Sequence, residues 1–95
     1  MPEMRFQVRW PDETVRVCYS PSLVVKQFLT VGQSYTVDDF VARCREALGI
    51  ASERVKQKYG FYCTGAASTL EEIELTASRF ADAPQARVEV VAFDQ

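Results

Sequence analysis

The N-terminal residues alternate strictly between apolar and polar side chains, which predicts a β-strand with one buried face. Arginine and glutamine side chains occupy the polar positions of residues 4–10. The apolar positions are Met4, Phe6, Val8 and Trp10. This long apolar face indicates a strand in the centre of its sheet.

A second alternating run follows a short polar turn at residues 11–13, and together the two runs predict a β-hairpin. In this interpretation Val15, Val17 and Tyr19 continue the apolar face of the first strand. Arg16 and Cys18 are then expected on the opposite, open face of the sheet.

The segment C-Y-S-P-S-L-V-V-K, residues 18–26, has the features of a strand-to-helix junction. Ser20 suits the N-cap and Pro21 the first helical position, where a missing N–H has no cost. Tyr19 and Val24 then occupy the positions of a hydrophobic staple. We expect a short helix from Ser22 to Leu29.

The clearest helix is predicted over residues 37–59, capped by Thr36 and ended near Gly60. On a helical wheel its apolar residues form one stripe, and Gly49 falls on the solvent side, where it could allow a kink. The stripe consists of Val37, Phe40, Val41, Cys44, Leu48, Ala51, Val55 and Tyr59. We expect this stripe to pack on the apolar face of the first strand.

A third helix is predicted between Tyr62 and Phe80, with a capping box at Ser68 and Glu71 that allows a later start. Residues 87–93 form the last predicted strand. The order β-β-α-α-α-β indicates an α+β fold in one domain, residues 1–95, with a three-stranded antiparallel or mixed sheet and its helices packed on one face.

Composition excludes several classes of chemistry. The 95 residues include no histidine, which removes Ser-His-Asp sites, Cys-His sites and histidine-bearing zinc sites. The three cysteines, Cys18, Cys44 and Cys63, form neither a C-x-x-C pair nor a disulfide framework. We therefore expect no catalytic set, no metal and no cofactor.

Charge and hydropathy predict a cytoplasmic protein whose partner is neither nucleic acid nor a membrane. The net charge is −2, which does not favour nucleic acid or an anionic membrane surface as the partner. No apolar run reaches the roughly 18 residues that a membrane span needs. No secretory signal is visible at the N-terminus, so a cytoplasmic location is expected.

The strand-to-helix junction is also the main chemical candidate. A thiol beside a helix N-terminus has a lowered pKa, and backbone N–H groups at that position bind anions. Cys18, Tyr19, Ser20 and Ser22 are therefore candidate ligand- or anion-binding residues. The alternative is that the segment only caps a helix and that Cys18 is an ordinary strand residue.

A further group of residues lies outside the predicted apolar stripes and is a candidate protein interface. Such aliphatic residues, if they meet on an open sheet face, favour contact with a second copy or with another protein. The candidates are Ile50, Arg43, Arg54, Leu75, Val91 and Phe93. A homodimer is one possible outcome, since a small chain with an uncovered sheet gains from association.

Arg5, Arg9 and Arg16 are predicted to share the open face of the hairpin with Gln7. An open sheet face can bind nucleic acid, but such faces carry stacking aromatic residues. Here the aromatic residues of the first strand fall on the core side. A solvated face with carboxylate partners such as Glu89 is the favoured interpretation, and regulation through nucleic acid is the weakest alternative.

Four segments together resemble one family of short bacterial proteins, the nitrogen-starvation-response proteins of the nitrilase-type gene cluster. The segments are M-R-F-Q-V-R-W-P-D, C-Y-S-P-S-L-V-V-K, D-D-F-V-A-R-C-R-E-A-L-G-I-A-S-E-R-V and K-Y-G-F-Y-C. The resemblance covers nearly the whole chain.

This resemblance implies a biological setting and no assigned catalytic residue. Members are encoded beside a nitrilase, a radical-SAM protein, a flavin-dependent oxidoreductase, an N-acetyltransferase-like protein and an AIR-synthase-like protein. The cluster is linked to nitrogen limitation and to the use of nitriles or cyanide. Two hypotheses follow. The first is a non-catalytic accessory protein that binds another protein of the cluster. The second is a small ligand-binding protein or enzyme that uses residues 18–22, with or without Cys63.

Overall fold

The computed structural model describes residues 2–61, 64–83 and 85–95. These ranges contain four strands, two α-helices and one short 3-10 helix. In chain order these are β1 (Met4–Arg9), β2 (Val15–Ser20), the 3-10 helix (Leu23–Gln27), β3 (Ser34–Thr36), α1 (Val37–Tyr59), α2 (Thr64–Ser78) and β4 (Arg87–Asp94). The α+β class is as predicted. Within these ranges no helix is both long enough and apolar enough to cross a membrane.

The four strands form one antiparallel sheet in the order β2-β1-β4-β3. β1 is an interior strand, as its long apolar face predicts. The expected three-stranded sheet is wrong by one strand, since β3 pairs with β4 through only three residues, Ser34–Thr36. So short a strand has no alternation that a sequence pattern can reveal.

The β1–β2 turn contains three residues and sets the phase of β2. The Trp10 amide donates to the Thr14 carbonyl at 2.9 Å, and the Glu13 amide donates to the Trp10 carbonyl at 2.8 Å. Glu13 has a φ of 69°, the left-handed conformation found in this kind of bulged three-residue loop. Hydrogen bonds from Thr14 hold the Asp12 carboxylate in the turn and lower its pKa.

The predicted phase of β2 is wrong. The ladder pairs Phe6 with Cys18 and Gln7 with Val17, so Cys18 faces the helices and Val17 faces the open side. A two-residue loop would have given the opposite result, because one residue more or less in the turn moves every side chain of the strand to the other face. The sequence shows an alternating run but does not show which loop connects it.

One side of the sheet carries the core, and both α-helices pack on that side. Met4, Phe6, Val8 and Trp10 are buried as predicted. They meet the stripe of α1, of which Val37, Phe40, Val41, Cys44, Leu48, Ala51 and Val55 are buried. The ring centroids of Trp10 and Phe40 lie 5.5 Å apart in an edge-on contact.

α1 runs unbroken from Val37 to Tyr59, the range that its periodicity predicts. The Thr36 hydroxyl accepts a hydrogen bond from the Asp39 amide at 3.2 Å, which confirms the N-cap. Gly60 ends the helix with a φ of 84°, a conformation that L side chains rarely adopt. Tyr59 departs from the prediction, because it is 50% exposed at the last position of the stripe.

The first predicted helix is a five-residue 3-10 helix, Leu23–Gln27. Its N-cap is Ser22, whose hydroxyl accepts from the Val24 amide at 3.2 Å, and not Ser20 as expected. Two consecutive β-branched residues, Val24 and Val25, disfavour a longer α-helix here, and both are buried. The segment fills the core without making a regular helix.

α2 extends from Thr64 to Ser78, so it begins before the possible later start at Ser68 and ends just before Phe80. The other predicted start, Tyr62, lies outside the described residues. Phe80 follows in a turn, where its ring stacks on Trp10 with centroids 5.9 Å apart. α2 packs against α1 and β2, and Phe80 closes the core at Trp10.

Candidate functional site

The hydroxyls of the strand-to-helix junction are used inside the fold. The Ser20 hydroxyl donates to the Ser22 carbonyl at 2.7 Å and accepts from the Ser22 amide at 3.3 Å. The Ser22 hydroxyl accepts from the Val24 amide and from the Arg54 guanidinium, the latter at 3.1 Å. Both serines are buried. Their contacts stabilise the junction and attach it to α1.

Cys18 is a buried thiol with a raised pKa. It pairs with Phe6 and faces the helices, which corrects its expected place on the open face. Burial, with a smaller effect of Glu72, raises the pKa of Cys18 to about 12, while Arg16 acts in the opposite direction. Cys18 is therefore a protonated thiol at neutral pH, and a neutral thiol is a poor nucleophile.

The other cysteines add no accessible thiol to the described chain. Cys44 lies in the buried stripe of α1, as predicted, and burial followed by the charge of Cys18 raises its pKa. Cys63 lies outside the described residues. Neither Cys18 nor Cys44 forms a disulfide.

Tyr19 is separated from the three other candidate ligand-binding residues. Cys18, Ser20 and Ser22 are buried, whereas Tyr19 points to the open sheet face and is partly exposed. Its hydroxyl donates to the Glu3 carboxylate at 3.0 Å. The structure thus brings together two serines and a protonated thiol, and ligand binding by these four residues stays a prediction.

The two candidate interface arginines both hold the 3-10 helix region against α1. Arg43 donates to the Phe28 carbonyl at 2.8 Å and to Asp39 at 3.1 Å. Its guanidinium carbon lies 4.6 Å from the ring centroid of Tyr35. Arg54 donates to Ser22. Each arginine has an internal role, and their part in an interface is untested.

The four apolar interface candidates lie on three different elements, α1, α2 and β4. Ile50 lies exposed on α1 and Leu75 on α2, where Leu75 is 63% exposed. Val91 is half-buried beside the irregularity in the β1–β4 ladder. Phe93 pairs with Phe6 and packs on the core, so its expected position on the open face is wrong.

The open sheet face carries charged residues of both signs. Arg9 forms a 2.7 Å ion pair with Glu89, as predicted, and Gln7 donates to Asp94 at 3.3 Å. Arg16 is absent from this face because it pairs with Val8 on the helix side. The expected face of three arginines is therefore wrong.

A groove that sequence reasoning missed lies between β2 and α2, at the edge of the sheet. We name it the edge groove, and its volume is about 400 Å³. Its walls are Trp10, Val15, Arg16, Val17, Cys18, Glu72, Ile73, Leu75 and Thr76. Val17 is 58% exposed beside it. The correct phase of β2 would have revealed these exposed valines.

Two aromatic side chains are exposed where α1 ends. The rings of Tyr59 and Phe61 lie 6.3 Å apart, and the Lys58 ammonium lies 5.7 Å from the Tyr59 centroid. Phe61 is 66% exposed. We name Lys58, Tyr59 and Phe61 the aromatic end. Sequence reasoning missed it because Tyr59 fits the buried stripe of the helix.

Metal binding finds no support in the described ranges, where no three His, Cys, Asp or Glu side chains are grouped to hold an ion.

These features define a small α+β protein with an antiparallel sheet covered on one side and a strand-to-helix junction whose serines bond within the fold. Exposed apolar residues are grouped at the edge groove and at the aromatic end. The chain belongs to the nitrogen starvation-induced protein NitG family, whose model matches residues 5–93. No curated protein and no solved structure matches the chain.

Proposed function

We propose that the protein is a cytoplasmic, non-catalytic accessory protein that binds another protein encoded in the nitrilase-type gene cluster. The main support for this proposal is the difference in burial between the polar junction and several large apolar side chains. Cys18, Ser20 and Ser22, the residues with chemical potential, are enclosed, while large apolar residues are exposed. Family membership supports a role in nitrogen starvation.

The enclosed thiol weakens the alternative of a small thiol enzyme. A nucleophilic cysteine needs a thiolate and access for its substrate. Cys18 lacks the thiolate at neutral pH, because burial raises its pKa to about 12, and it is only 7% exposed in the wall of the edge groove. A ligand at the junction would also have to displace the hydrogen bonds between Ser20 and Ser22.

The aromatic end supplies a contact of the kind that protein interfaces use. Tyrosine is enriched among residues that carry binding energy, and exposed aromatic rings have much apolar area to bury. Lys58 beside Tyr59 favours a partner surface with acidic residues at its rim. We propose that this end of α1 contacts the cluster protein.

Co-expression with each protein of the cluster tests the proposal. We expect one of them to co-purify with the tagged wild-type chain. The double variant Tyr59→Ser/Phe61→Ser should lose that partner, while the control variant Val31→Ser, at a loop residue that is 45% exposed, should keep it. Co-purification of none of the cluster's proteins would contradict the proposal.

A second measurement separates binding from thiol chemistry. Strains that carry Cys18→Ala, Cys44→Ala or Cys63→Ser should grow under nitrogen starvation like the wild type, provided that each variant folds. Lost growth in a folded Cys18→Ala or Cys63→Ser strain would favour the enzyme alternative instead.

A further inference from the structure

β2 is the long exposed edge of the sheet. The sheet order places β2 and β3 at the two edges, and β3 has only three residues while β2 has six. A very short edge strand gives little length for pairing, whereas a six-residue edge can accept another strand. No other strand of the described chain pairs with the outer side of β2.

Along β2, the backbone N–H and C=O groups of successive residues point alternately toward β1 and toward the outside of the sheet. The bond from the Trp10 amide to the Thr14 carbonyl fixes the first hydrogen-bonded pair of the hairpin. Hydrogen-bonded and non-hydrogen-bonded pairs alternate from there along an antiparallel ladder. The N–H and C=O groups of Val15 and Val17 therefore point away from β1, to the outside of the sheet.

We infer that two copies of the chain associate by antiparallel pairing of β2 with β2, about a two-fold axis that passes through Val17. The axis is perpendicular to the sheet, so the helices of both copies lie on the same side. The two sheets then form one sheet of eight strands. Val17 lies opposite Val17 of the second copy, and Val15 lies opposite Tyr19.

Charge complementarity selects this arrangement. Arg16 lies opposite the second copy's Cys18 in this register, and Glu72 of that copy lines the groove beside the same Cys18. The two-fold axis therefore creates two equivalent Arg16–Glu72 attractions. Arg16 and Glu72 of one copy line the same groove, yet within the part of the chain that the structure describes neither residue has an ion pair.

The neighbouring register is disfavoured for the same reason. An axis through Arg16 would place the two Arg16 side chains opposite one another, and like charges in that position are destabilising. The axis through Val17 instead places the two Val17 side chains together at the centre of the interface, on the open face of the sheet. Strand addition of this kind obtains affinity from main-chain hydrogen bonds and specificity from side-chain pairs.

The edge groove gives the pairing an apolar contribution. Leu75 is 63% exposed in its wall, and Val17 is 58% exposed at its rim. A second β2 strand at this edge covers both residues. A second copy fits better than an unrelated peptide, because each chain supplies both the Arg16 and the Glu72 that the other needs.

Sedimentation velocity of the wild type and of Val17→Lys tests the pairing. The wild type should be a dimer, and the variant should be a monomer at the same concentration, because two ammonium groups would meet at the axis. Val31→Lys is the matched control on a loop away from β2, and it should remain a dimer. A monomeric wild type, or a dimeric Val17→Lys, would overturn the inference.

A charge exchange tests the register and the contact between copies. Arg16→Glu alone and Glu72→Arg alone should each be monomeric, since each homodimer would contain two repulsive pairs. An equimolar mixture of the two variants should form heterodimers, in which both pairs are attractive again. A mixture that remains monomeric while each variant keeps its native circular dichroism would rule out this register.

These measurements do not depend on the partner proposed above. Val17→Lys should still bind a cluster protein through the aromatic end, and Tyr59→Ser/Phe61→Ser should still dimerise. Either proposal can therefore fail while the other stands.

Discussion

Phe6 and Cys18 face each other across the β1–β2 ladder, on the side of the sheet that the helices cover. This pairing places a thiol in the core beneath α2 and next to the charge of Glu72. Cys18 consequently behaves as a small apolar residue. Its titration should be visible in the stability of the protein.

The first prediction concerns alkaline pH. Burial raises the pKa of Cys18 from its ordinary value of 9.0 to about 12, so the unfolded chain loses this proton first as the pH rises. The stabilising effect of the protonated thiol is complete below about pH 9 and is lost between pH 9 and 12. The free energy of unfolding should therefore fall with pH in this window.

Denaturant melts of the wild type and of Cys18→Ala at several alkaline pH values provide the measurement. The difference between the two proteins isolates Cys18 from the lysines, tyrosines and Cys44. We expect the wild type to lose more stability than the variant as the pH rises. Parallel curves would show that the thiol is not buried as described.

The second prediction concerns the stripe of α1. Leu48 is buried within the core cluster, so Leu48→Ala should lower the free energy of unfolding by about 2–5 kcal/mol. Arg45 lies on the exposed side of the same helix and forms an ion pair of 2.7 Å with Glu74. Exposed pairs of this kind contribute little, so Arg45→Ala should cost about 0.5 kcal/mol or less. Equal effects in denaturant melts would contradict the position of the helix.

The third prediction uses two glycines that differ only in conformation. Neither Gly49 nor Gly60 has an atom within 4 Å of an added Cβ. Gly49→Ala should stabilise the protein by about 0.5–1 kcal/mol, because alanine favours a helix interior. Gly60→Ala should destabilise it by about 1 kcal/mol, because its φ of 84° is strained for an L residue. Thermal melts should show shifts of opposite sign.

The fourth prediction concerns Ser22, which joins the 3-10 helix to α1. Ser22→Ala removes the bonds to the Val24 amide and to Arg54, and should cost about 1–2 kcal/mol. Ser68→Ala, at an exposed position of α2, is the matched control and should change stability by less than about 0.5 kcal/mol.

A double-mutant cycle separates the two roles of Ser22. If the contact with Arg54 matters, Arg54→Ala should cost less in the Ser22→Ala background than in the wild type. Additive effects would show that the serine acts only as a cap.

Much of the fold follows from long periodic segments. α1 could be predicted because 23 residues sustain one apolar stripe and both caps are ordinary. β1 could be predicted because apolar residues at four alternate positions indicate a strand with one buried face. β3 could not, because its three residues are held by pairing with β4 and not by a pattern of their own.

The candidate site was harder to predict because it depends on tertiary contacts. The sequence places Ser20 and Ser22 at a junction, but only the fold shows that both hydroxyls bond within it. The edge groove depends on which face Val17 occupies, and that depends on the β1–β2 turn. The alternation of apolar and polar residues is the same in β1 and β2, so it does not reveal how many residues form the turn between them.

The three-residue loop that contains the left-handed Glu13 has a consequence for how the family can diverge. The residue that follows the loop lies opposite Trp10 and shares its face, so the pairing of Trp10 with Thr14 sets the phase of β2. Gaining or losing one codon among residues 11–13 would therefore change the loop and still leave the valines outside and the thiol inside. The same change after Thr14 would exchange the inner and outer side chains of the rest of β2, so length differences among relatives should be confined to the loop.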